Sequence, residues 1–126
     1  MNKLLMLLCI VSMAFISCGD DDCIPGTFEE NIIGSWNTPS VGASEAGTVT
    51  FNVNGTGVSS ENGVFYSELS GEGSGDFDWS YDANSELLSI DWNFSNGGLG
   101  LEYDVLGFDC DNTMFNFFLN FSIERQ

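Results

Sequence analysis

Nineteen carboxylates, two cations and no histidine limit the chemistry open to this chain. General acid–base catalysis near neutral pH most often uses an imidazole, and none is present. No Gly-X-Ser-X-Gly elbow and no glycine loop for cradling phosphate occurs either. A glycosidase-type pair could be drawn from so many acids, but carboxylates spaced along strand-like runs serve solvation more often than proton transfer. Asp109, Asp111 and Asn112 offer hard oxygens on one turn and are the best-placed calcium ligands. Asx-rich turns without metal are far commoner, so no resident metal and no cofactor is expected. These observations predict a protein that is not an enzyme.

The remaining reactive groups are the thiols Cys9, Cys18, Cys23 and Cys110. Cys9 lies in an apolar run from Leu4 to Ile16 that follows Lys3 and ends at small Ser17, the outline of a secretory signal peptide. The run is short of the roughly 20 residues a membrane-crossing helix needs. The stretch Phe15, Ile16, Ser17, Cys18 resembles the lipobox of bacterial lipoproteins, with Ser17 and Cys18 carrying the match. The resemblance implies cleavage after residue 17 and lipidation of Cys18. Gly19 and Asp20 to Asp22 resemble the acidic export signal of Bacteroidetes surface lipoproteins. An outer-membrane anchor with the body at the cell surface is what this implies. Cys23 and Cys110 are then the only thiols left in a non-cytosolic setting, where a pair is expected to be bridged. A loop of about ninety residues closed that way contributes roughly 4–5 kcal/mol in the chain-entropy account.

The division expected is a signal peptide over 1–17, an acidic tether over 18–30 and one small domain over 31–126. The formal charge is −17. With Lys3 removed, Arg125 is the one cation of the mature chain. Nucleic acid is excluded as a partner, because binding it requires cations that displace phosphate counterions. An anionic membrane surface would repel this body, so membrane association must come from the lipid. The charge also predicts a salty or cation-rich medium that screens self-repulsion.

Past residue 30 the pattern is one of strands. "VTFNV" (49–53), "DFDWSY" (76–81), "LLSIDWNF" (87–94), "LEYDV" (101–105) and "FNFFLNFSI" (115–123) alternate apolar with polar at period two, which sorts side chains onto two faces. Phe77, Trp79 and Tyr81 fall on the inner face, as do Leu88, Ile90, Trp92 and Phe94, and Phe115, Phe117, Leu119, Phe121 and Ile123; Phe118 breaks the last series. With "IIGSW" (32–36), "TGVSS" (56–60) and "GVFYSEL" (63–69) the count reaches about eight strands, separated by Gly- and Asn-rich turns. No segment has a helical period. The predicted fold is all-β: an antiparallel up-and-down meander closed into a small barrel, which hides one aromatic face and leaves no edge. A two-sheet sandwich is the alternative.

Gly34, Ser35 and Trp36 at the start of the first strand, "GTVTFNVNGTG" and "DFDWSYDANSELLSI" together resemble the lipocalin-like domains of Bacteroidetes lipoproteins. The resemblance covers about Asn31 to Glu124. It implies that Trp36 closes one barrel end, with Arg125 of the last strand lying across its ring, a contact worth roughly 0.5–2 kcal/mol. It also implies a small apolar ligand in the barrel, lined by Phe51, Phe77, Trp79, Tyr81, Ile90, Trp92, Tyr103, Phe117 and Phe121. An eight-stranded barrel is only just wide enough for that, and so many rings could fill it instead. A filled scaffold that binds a protein or glycan partner on its outer surface is the second expectation.

Overall fold

The computed structural model describes residues 26–68 and 72–126. The expected signal peptide, lipid site, acidic run and Cys23 lie outside the described residues. Eight strands run in chain order: β1 (Gly34–Thr38), β2 (Gly47–Phe51), β3 (Thr56–Ser59), β4 (Asp76–Asp82), β5 (Leu87–Phe94), β6 (Gly97–Phe108), β7 (Asn112–Phe117) and β8 (Leu119–Arg125). Each pairs antiparallel with the next, and β1 closes on β8 through Trp36↔Arg125 and Asn37↔Glu124. A closed barrel is therefore the fold, and the sandwich alternative is ruled out.

Alternation does what the pattern requires. Along β5, Leu88, Ile90, Trp92 and Phe94 are buried while Asp91 and Asn93 face water. Asp78 lies opposite Asp91 on the outer wall, so like charges face each other only where solvent screens them. Phe77 lies across from Gly57 and folds its ring over the space a side chain would need there.

The strand count matches the expectation through two errors that offset each other. Residues 63–67 of "GVFYSEL" are not a strand. The backbone turns there, with Tyr66 N–H donating to Gly63 O and only an isolated bridge, Ser67↔Ser74, beyond it. Conversely, "FNFFLNFSI" is two strands, because the chain reverses at Phe118, whose φ is +61°. Leu119 was assigned to the interior; at the start of β8 it is 55% exposed instead. Val53, expected in the second strand, lies past its end in a turn and is exposed.

A short helix, α1 (Phe28–Ile32), was also not anticipated. Five residues cannot show a helical period, but they show a cap. Thr27 Oγ1 accepts from Glu30 N–H while the Glu30 carboxylate accepts from Thr27 N–H, the reciprocal arrangement that stabilises a helix start. Phe28 and Ile32 are buried, so the folded body begins before residue 31.

Because the strands meander, the connections sort into two ends. α1 and the β2–β3, β4–β5 and β6–β7 turns gather at one end, where Phe28 packs on Tyr81 and Phe108. The segments 39–46, 60–68 and 72–75, the Ser95–Asn96 turn and Phe118 stand at the other. Between them the interior is filled by one cluster of buried side chains, rich in rings. Phe65 sits at its centre, fully buried, with ring centroids of Phe51, Tyr103, Phe115 and Phe121 between 5.1 and 6.0 Å away.

Candidate functional site

The helix end is a lock. Trp36 is buried and donates from Nε1 to Ile32 O at 2.7 Å, which holds α1 against the barrel. The Arg125 guanidinium lies 4.1 Å from the Trp36 ring. Its three nitrogens each donate to a backbone carbonyl: Nε to Cys110 at 2.7 Å, Nη1 to Ile33 at 3.1 Å and Nη2 to Asn31 at 2.5 Å. Asn31 adds a bond from Nδ2 to Asp109 O. Gly34 has φ +122°, and a Cβ there would stand 2.8 Å from Arg125 Nη1. The glycine two residues before the tryptophan thus serves the backbone and makes room for the cation. Gly34, Trp36 and Arg125 meet at this end, with the cation over the indole.

Asp109, Asp111 and Asn112 lie beside the lock. Asp109 Oδ1 accepts the amides of Asp111 and Asn112 at 2.8 and 2.7 Å, and these two bonds hold its carboxyl below the ordinary carboxylate range. The oxygen is used to shape the turn. No group of three or more Cys, Asp or Glu among the described residues is placed to hold a metal ion.

The opposite end carries a cleft of about 430 Å³, within the range of small-molecule sites. Trp92, Leu101, Tyr103 and Phe117 form its apolar wall, Val41, Val64, Tyr66 and Phe118 come in from the connections around it, and Leu119 from the start of β8. Of the nine side chains expected to line a ligand site, three reach this cleft: Trp92, Tyr103 and Phe117. Phe51, Phe77, Ile90 and Phe121 are spent in the packed interior. Trp79 is half-buried and donates from Nε1 to Asn52 O and Thr56 O at the β2–β3 turn. Tyr81 stacks on Phe28 at the helix end. Ring packing occupies the barrel interior, and a cleft lies at its mouth.

Polar handles fix the cleft floor. Trp92 Nε1 donates to Phe65 O at 3.0 Å and the Tyr103 hydroxyl to Val64 O at 3.3 Å, so two barrel strands grip the segment that delivers Phe65. Burial pushes the Tyr103 phenol far above its ordinary value of 10.0. A group raised in this way contributes stability in full below the unfolded value and loses it as pH rises beyond about 10. In an alkaline titration followed by phenolate absorbance, Tyr66 and Tyr81 should ionise on the intact barrel. Tyr103 should appear only with the unfolding transition; a third reversible phenol on folded protein would contradict the packing.

Phe118 is the residue the pattern pointed to without explaining. Its ring is 90% exposed at the hairpin tip and its backbone is left-handed, a conformation costly for a bulky residue. The Asn116 and Asn120 side chains bond across the hairpin below it.

No protein-family model, curated protein or solved structure matches this chain.

Proposed function

We propose that this is a lipid-anchored, non-enzymatic, lipocalin-like lipoprotein whose filled barrel forms a rigid floor for a small-ligand site at its open end. The observation that carries the reading is the cleft itself. Apolar side chains from β5, β6 and β7 emerge from the core there, and a strained, exposed phenylalanine stands at its lip. Strain of this kind persists where the exposed group has a use.

Anchoring rests on the sequence of residues 1–22 and on the helix end. The chain enters the barrel at α1, so a lipid on Cys18 would bring the lock towards the membrane and turn the cleft away from it. Cys110 is disulfide-bonded, and Cys23, a few residues before α1, is the partner we assign. That bridge would secure the tether beside Arg125. The place of the body on the outer face of the outer membrane follows from the acidic run after Cys18. A second reading, a scaffold presenting its wall to a protein or glycan, is favoured by the packed interior.

Binding of the neutral apolar fluorophore N-phenylnaphthylamine separates the two. The ligand reading expects saturable enhancement at one site and about fivefold weaker binding in Phe118→Gly, which removes one aromatic contact. The same substitution relieves a left-handed phenylalanine and should stabilise the fold by about 1 kcal/mol in urea denaturation. No enhancement with folded wild-type protein would sink the ligand reading and leave the scaffold.

A further inference from the structure

We propose that the cleft selects an amphiphilic cation, an organic ammonium attached to an apolar group, over a neutral or anionic molecule of the same shape. This rests on the ligand-binding reading above. The apolar part has a place: Trp92, Leu101, Tyr103 and Phe117 form a continuous wall. The charge has one too, since Glu45 and Glu68 stand exposed at the rim of the same cleft, with Tyr66 beside them and Phe118 on the lip. An ammonium there would meet carboxylates at close range and the faces of rings, which attract cations through their quadrupole.

Among the described residues no lysine or arginine lines the cleft. Among the described residues the one cation is Arg125, at the far end of the barrel, with its donors committed to three carbonyls. A fatty carboxylate or other apolar anion would therefore enter without a counter-ion, against a body of formal charge −17. That field instead concentrates cations at the molecule, and a low-dielectric cleft focuses it. The Tyr66 phenol registers the local part: burial raises it first, and the charges of Glu61 and Glu68 raise it further. Charge complementarity and an apolar wall thus coincide in one place.

The test uses three probes that share one phenylpropyl group on the full-length protein, titrated by isothermal calorimetry: phenylpropyltrimethylammonium, its tert-butyl carbon isostere and the anion phenylbutyrate. The ammonium should bind one to one, about tenfold tighter than the isostere, and phenylbutyrate should give no saturable heat. The double variant Glu45→Gln/Glu68→Gln should lose most of that advantage, whereas Asp78→Asn/Asp91→Asn, on the outer wall, should keep it. Equal affinity for ammonium and isostere would overturn the inference and leave the cleft as a ligand site. So would an advantage that survives loss of Glu45 and Glu68, or one that the outer-wall pair removes as well. Silence from all three probes would overturn the inference and the ligand reading together.

Discussion

Replacing Arg125 with alanine is expected to cost the fold about 3–5 kcal/mol, enough to unfold a marginal domain of this size. The guanidinium is half-buried, and three carbonyls from two distant stretches of the chain converge on it: Asn31 near the end of α1 and Ile33 before β1, and Cys110 in the β6–β7 turn. Hydrogen bonds from a charged donor contribute about 1.5–3 kcal/mol each, and the cation over Trp36 adds roughly 0.5–2 kcal/mol. Water entering the vacated space would recover part of this, which is why the expected loss is smaller than the sum. Arg125→Lys should recover less than half, because one ammonium cannot reach three carbonyls and cover the indole together. Urea denaturation followed by tryptophan fluorescence measures both variants. A loss below about 1 kcal/mol for the alanine variant would mean that solvent substitutes for the guanidinium, and that the lock is held by Trp36 and α1 alone.

The lock and the cleft differed in how far the sequence disclosed them, and the difference has a physical cause. Barrel closure pairs the first strand with the last, so Trp36 and Arg125 become direct neighbours wherever β1 and β8 begin and end within a residue or two. The inner face of β5 was legible for a similar reason: period two needs no knowledge of what covers it. The reversal at Phe118 was hidden by that same rule. Phe117 lies directly opposite Leu119, so residues two apart keep to one face and the inward series continues through the turn, with Phe118 the one position out of pattern. No glycine, asparagine or proline sits at the tip to announce it. The segment from Gly63 to Ser67 erred in the other direction, since β-branched Val64 and aromatic Phe65 and Tyr66 have the composition of a strand while the backbone turns. The cleft is built from such connections. Their positions follow from how the barrel closes, which no local pattern encodes, whereas Trp92, Leu101, Tyr103, Phe117 and Leu119 of the lining fall in runs that strand periodicity reaches.

Phe65 is where the filled interior can be turned into a hollow one. Truncation to alanine should cost about 3–5 kcal/mol, the usual range for a buried phenylalanine, because the strands around it are tied by their ladders and cannot collapse inward. The ring lies against Tyr103, whose other contacts include Phe117 of the cleft wall, and it also packs on Phe51, Phe77, Phe115 and Phe121. Its removal therefore extends the mouth site downward into an apolar void with no polar group to hold water, and such voids take up small apolar molecules. Toluene should raise the urea midpoint of Phe65→Ala while leaving wild type unchanged, and N-phenylnaphthylamine should bind the variant more tightly than the parent. Phe65→Leu, which restores most of the volume, should cost about 1 kcal/mol and show neither effect. If wild type already responds to toluene as strongly as Phe65→Ala, the barrel is not filled, and the ligand site belongs inside it rather than at its rim.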